Sequence, residues 1–157
     1  NDAQIKRSLP LGIGYNLTFS SVRNGQSGPR FRSTMESGVR MCLSSDAMNV
    51  SPYAPFQNLW YVTTGQTLIP GVSGVPVNQR LSRAEALRHA TQKCAWFLGL
   101  DGKIGSVEPG NYADLIVLSK DYFSVPDAEI RSITSVITVV GGKIVYADAE
   151  YTGLDNP

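Results

Sequence analysis

The chain has 157 residues, 42% hydrophobic and only 17% charged, and its 14 basic and 13 acidic side chains leave a formal net charge of +1. That balance creates no strong field, so nucleic acid and acidic membrane surfaces are excluded as expected partners. The length suits one domain or two small ones, and no apolar run approaches the roughly 18–20 residues that cross a bilayer.

In chain order, the first 30 residues are broken by Pro10, Gly12 and Gly14, with a short strand predicted around Ile13–Phe19. Asn24-Gly25 and Ser27-Gly28-Pro29 read as a loop. A helix is predicted over Arg30–Ser37, with Phe31 and Met35 one turn apart and Gly38 at its end. Val39–Leu43 follows as a nearly all-apolar strand, the pattern of a strand buried on both faces in a parallel sheet. It runs into Ser44-Ser45-Asp46, which places a carboxylate at a strand's carboxyl end.

Phe56–Thr64 reads as a short helix, and Gly65–Arg80 as a long connection punctuated by Gly and Pro. Ser82 and Glu85 form a capping-box pair that opens a helix over Arg83–Leu98, closed by Gly99. A 3.6-residue period puts Leu87, Ala90, Thr91, Cys94, Ala95 and Leu98 on its buried stripe, with His89 and Trp96 on the outer face. The exposed Trp suggests a second contact surface there. Beyond Leu100 the pattern turns β-like. Ala113–Leu118 reads as a buried strand and Ile133–Val140 as another, which Gly141-Gly142 joins to Lys143–Tyr146 as a hairpin.

Chemistry-bearing residues are few. Cys42 and Cys94 are the only cysteines, too few for a disulfide scaffold, and their apolar settings read as buried thiols. They do not decide the compartment, for which cytoplasm is the default. His89 is the only histidine, so a zinc site built on two or three imidazoles cannot come from this chain alone. His89 itself reads as an exposed surface residue, and Asp114 as a carboxylate holding loop backbone amides. No nucleophile elbow, phosphate-binding loop or dinucleotide fingerprint is present. Asp46 is the one placement with catalytic promise, because α/β sheets and barrels bind ligands at the carboxyl ends of their strands. A helix N-cap is its other reading. The first residues show neither an initiating Met nor a signal-peptide pattern, and the chain reads as if entered midway.

Four segments in register carry a resemblance. They are Gly38–Asp46, the helix Leu81-Ser82-Arg83-Ala84-Glu85-Ala86-Leu87, the run Ile104-Gly105-Ser106-Val107-Glu108 through Asp114-Leu115-Ile116-Val117-Leu118, and Val139–Tyr146 following Asp121. Together they resemble the C-terminal portion of metal-dependent amidohydrolases, nearest to the amidohydrolase family 3 group. The resemblance implies an α/β fold: the last units of a (β/α)8 barrel over residues 1–100, with connecting loop 65–80 and helix 83–98, then the C-terminal strands of a small β-sandwich over 101–157. A complete barrel needs about 200–250 residues, so this chain is expected to hold only part of one.

The implied activity is hydrolysis of non-peptide, amide-type C–N bonds. Asp46 is implied as general base toward a metal-bound water and as a metal contact. The complete enzyme is expected to use a divalent metal, zinc first, and a small amide-type substrate. The chain alone is expected to bind no metal and to be inactive, with the missing N-terminal portion or another copy of the chain as partner, and to form oligomers. The alternatives are a non-catalytic remnant or regulatory binding subunit on the same scaffold, or one half of a split enzyme.

Overall fold

The computed structural model describes residues 2–18, 29–47, 52–68 and 74–154. Its elements are helix α1 (Asp2–Ser8), strand β1 (Tyr15–Thr18), α2 (Phe31–Glu36), β2 (Met41–Ser44), α3 (Pro55–Thr64), α4 (Arg83–Ala90), β3 (Leu115–Leu118), α5 (Asp127–Ile130), β4 (Ser135–Val140) and β5 (Lys143–Ala147). Strands β1 and β2 pair in parallel, Tyr15 opposite Met41 through Thr18 opposite Ser44, with α2 in the crossover between them. A β-strand, helix and parallel strand in sequence is the repeating unit of α/β folds. The remaining strands form an antiparallel sheet in the order β3-β4-β5.

Local chemistry accounts for most of the boundaries. Pro55 opens α3, where a missing N–H costs nothing, and Gly65 closes it in the left-handed region at φ 71°. Ser82 opens α4 with both halves of a capping box: its Oγ accepts the Glu85 N–H at 3.3 Å, and Glu85 Oε2 accepts the Ser82 N–H at 2.7 Å. Gly141 and Gly142, both at positive φ, turn β4 into β5.

The core lies between β2, α2, α3, α4 and the 122–133 segment. Phe31, Met41, Leu43, Leu59, Trp60, Val62, Ala86, Tyr122, Ile130 and Ile133 are all buried there. The all-apolar reading of β2 holds, since Met41, Cys42 and Leu43 are each at most 5% exposed.

Three expectations are corrected. The helix predicted over Arg83–Leu98 stops at Ala90; Thr91 leaves helical geometry (φ −124°, ψ −90°) and Gln92–Leu98 continues as a 3-10 helix. A 3-10 helix turns about 20° more per residue than an α-helix, so seven residues rotate the predicted stripe by about 140°. Leu98 accordingly points to solvent at 68% exposure. Second, His89 is buried, one turn from the buried Ala86; Leu87 and Ala90 of the predicted stripe pack partly buried against the core, whereas Thr91 is exposed. Third, β3 is not a buried strand. Ile116 is 53% exposed and Val117 44%, because strand pairing satisfies the backbone but leaves both faces open until a second layer covers them.

Candidate functional site

The site is built on the parallel pair. Thr18 and Ser44 stand opposite each other at the carboxyl ends of β1 and β2. Two residues past Ser44, Asp46 sits in the left-handed region at φ 53°, the only non-glycine at positive φ among the described residues. That conformation is uncommon for an L-residue and is tolerated best by Asp and Asn. It turns the chain sharply just where the strand ends and leaves Asp46 exposed. Among the described residues, the Asp46 carboxylate has no hydrogen-bond or ion-pair partner. It does not cap the next described helix either, since Ala54 holds the N-cap position of α3. Asp46 thus stands as an exposed carboxylate just past a strand terminus, and residues 48–51, where a helix opened by it would run, lie outside the described residues. Backbone outliers of this kind concentrate at functional sites.

What holds the strand in place lies behind it, on α4 and the 3-10 helix. His89 Nδ1 lies 2.9 Å from the Met41 carbonyl oxygen, to which it donates as the protonated ring nitrogen. Burial holds the His89 ring below its ordinary pKa. The Met41 bond works the other way, Lys93 and Arg88 add to the lowering, and Glu85 opposes it. One turn further, Cys94 is joined to Cys42 by a disulfide with the two Cα atoms 4.7 Å apart. The reading of both cysteines as buried thiols is corrected. A strand residue and a helix residue that pack face to face reach bonding distance, and a sequence separation of 52 conceals that proximity. Trp96, read as outward-facing, is half-buried. Its ring carries the Arg40 guanidinium at 4.3 Å and meets Phe97 edge-on at 5.0 Å. A Cβ on Gly14 would come within 2.8 Å of these two rings, so the glycine just before β1 is where they close in.

Further ties secure α4 to its other neighbours. Arg32 on α2 donates to the Arg80 carbonyl at 2.8–3.0 Å and pairs with Glu85 at 3.0 Å. Burial pushes the Glu85 carboxyl up, but the Ser82 bonds and Arg32 outweigh it and hold it below the usual range. Arg83 reaches across to the 122–127 segment, donating to the carbonyls of Tyr122 at 2.7 Å and Val125 at 2.6 Å. Asp114 accepts the Gly141 N–H at 2.7 Å, the role read for it in the sequence.

A metal is implied by the family resemblance, and zinc requires three or four converging N, O or S ligands. Among the described residues, no group of three or more His, Cys, Asp or Glu side chains could hold an ion. The one imidazole faces a backbone carbonyl and both sulfurs are committed to each other. These residues do not fit a metal centre by themselves.

Residues 1–146 match the sequence profile of the amidohydrolase family. The chain belongs to that family. It is 31% identical over 117 residues to N-substituted formamide deformylase of Arthrobacter pascens, covering 73% of this chain and 21% of that protein. It is 34% identical over 73 residues to 5-methylthioadenosine/S-adenosylhomocysteine deaminase of Symbiobacterium thermophilum, covering 41% of this chain and 17% of that protein. In fold it is similar to the guanine deaminase of E. coli, with a TM-score of 0.71 at 23% identity, over 95% of this chain and 37% of the other. The chain thus spans about a fifth of the length of these curated relatives, and its mixed helix and strand order fits a part of the α/β amidohydrolase fold. No helix among the described residues is long and apolar enough to cross a membrane.

Proposed function

We propose that this chain forms the C-terminal part of a hydrolase of non-peptide, amide-type C–N bonds, in which Asp46 is the general base. The observation that carries the reading is Asp46 itself: a solvent-facing carboxylate in left-handed backbone, at the carboxyl end of a parallel strand pair. The relatives named deformylase and deaminase support the reaction class. Asp46 accepts a proton as water adds to the carbon of the scissile bond, then returns it to the departing nitrogen, so that one carboxylate serves both halves of the reaction. The β2 strand, held by β1 on one side and His89 on the other, keeps this acid in place.

A divalent metal, zinc first, belongs to the complete enzyme in this reading, with Asp46 as one contact and the other ligands supplied by residues other than those described. The β1–β2 pair is read as barrel strands and β3–β5 as part of a β-sandwich. The half-open faces of β3–β5 are covered by further polypeptide or by a second copy, which makes self-association the expected behaviour of the chain alone.

The test is turnover of formamide and amide substrates by the full-length protein that carries these residues, beside the Asp46→Asn variant. Substitution is expected to lower kcat by at least about a hundredfold, the scale of general-base catalysis, with an unchanged circular-dichroism spectrum. Full activity in the variant would overturn the assignment. Turnover by the isolated chain without added polypeptide would overturn the divided site.

A further inference from the structure

The two residues that could have been free thiols are instead the covalent link between the strand leading to Asp46 and the element behind it. Cys42 is buried in β2, four positions before Asp46, while Cys94 is half-buried in the 3-10 helix. The bridge lies beside a second tie between the same elements, the His89 bond to the Met41 carbonyl. It also falls just past Thr91, where α4 changes its winding and re-aims residue 94.

We propose that the Cys42–Cys94 bridge is a thiol-sensitive clamp on the strand end that presents Asp46. Oxidised, it fixes β2 against the 3-10 helix. A dithiol reductant opens it: a thiolate attacks Cys94 Sγ, the more exposed partner, and the S–S electron pair leaves on Cys42 Sγ, which takes up a proton. The reductant's second thiol then displaces Cys94 as a free thiol and leaves as the oxidised cyclic disulfide. Two electrons and two protons pass to the protein. With its covalent tie gone, β2 keeps the β1 pairing, the His89 bond and the Arg40–Trp96 stack, and the Asp46 turn loosens. Such a bond persists in oxidising compartments and is rare in the reducing cytosol, which weighs against cytoplasm as the default setting. The clamp is a statement about structure; its effect on turnover rests on the reading of Asp46 given above.

The experiment uses the full-length protein carrying these residues, with thiols blocked by N-ethylmaleimide before lysis. A Cys42–Cys94 linked peptide and no label on either cysteine are expected. Dithiothreitol should then expose two alkylatable thiols and speed amide hydrogen exchange in residues 39–46 and 83–98. The limit is about a thousandfold for amides that exchange through opening of this unit, the loop-closure value for a 52-residue separation. Cys94→Ser should exchange fast from the start and ignore the reductant; if that variant does not fold, the wild type with and without reductant decides. Label on both cysteines of the unreduced protein, or exchange unchanged by reduction, would overturn the clamp. Asp46→Asn should keep the same response to reductant, so normal turnover in that variant removes the catalytic reading and leaves the clamp standing.

Discussion

Replacing Arg83 with Met removes the α4 guanidinium that bonds the 122–127 segment while leaving its aliphatic stem to pack and the Tyr122 hydroxyl bond to the Arg83 carbonyl in place. The guanidinium donates to two backbone carbonyls, at 2.7 Å to Tyr122 and 2.6 Å to Val125, and the side chain is only 21% exposed. A hydrogen bond from a charged donor contributes roughly 1.5–3 kcal/mol, and a carbonyl left without its donor forfeits most of that unless water replaces it. With two carbonyls affected and partial access for water, Arg83→Met should cost about 3 kcal/mol. The ion pair to Asp127 adds little, because that carboxylate is 67% exposed; Asp127→Ala should therefore cost less than about 1 kcal/mol. Native-state hydrogen exchange separates the two. About 3 kcal/mol corresponds to exchange roughly 150-fold faster in residues 83–90 and 122–130, against less than about fivefold for Asp127→Ala. A change below about fivefold in Arg83→Met, or equal effects of the two variants, would show that the carbonyl bonds do not carry the contact.

Two further outcomes are expected. Gly105→Ala should destabilise the protein by at least about 2 kcal/mol, because Gly105 lies at φ 85° and an added Cβ would sit 2.6 Å from the Gln92 Cα, backbone that cannot swing aside. Thermal unfolding checks it, and an unchanged Tm refutes the close approach. His89 gives a pH dependence. Its folded pKa is lowered by burial, so between the folded value and about 6.5 the unfolded chain binds the extra proton and the folded one does not. The stability it contributes is thus complete above pH 6.5 and is lost as pH falls toward the folded value. Urea midpoints measured from pH 8 to pH 5 should drop less in His89→Gln than in the wild type; equal drops would refute the assignment.

Much of this architecture is legible in the amino acids because local rules decide it. The Ser82–Glu85 pair, Pro55, Gly65 and Gly141-Gly142 each mark an element end within a residue or two of where it falls. Asp46 is legible as an acid after an apolar strand. What escapes is whatever depends on partners distant along the chain. The helical period assumes 3.6 residues per turn throughout, so it cannot foresee the change of winding at Thr91. The identity of His89 as a polar residue hides a ring that fits between helix and strand once a backbone carbonyl accepts its proton. Cysteine spacing carries no information on proximity, so two apolar-flanked cysteines read as thiols where there is a bond. The apolar run of β3 reads as buried because composition alone does not show whether a second layer covers a strand's faces.

These misses share a location. His89, Cys94 and Trp96 all lie on the stretch from α4 into the 3-10 helix, and each attaches to β2 or the residues just before it: Met41, Cys42 and Arg40. The same helix is fastened to α2 through Glu85 and Arg32 and to the 122–127 segment through Arg83. The strand that presents Asp46 has only four residues and a single strand partner among those described, too little pairing to define the position of its terminus. Its rigidity has to come from behind, by a hydrogen bond, a covalent bond and a stacked cation, each from a different residue of the same stretch. That division puts the capping box of α4 and the Cys42–Cys94 disulfide on one stretch among the described residues. On the proposed reading of Asp46 as general base, the precision needed at the acid is built at one remove from it.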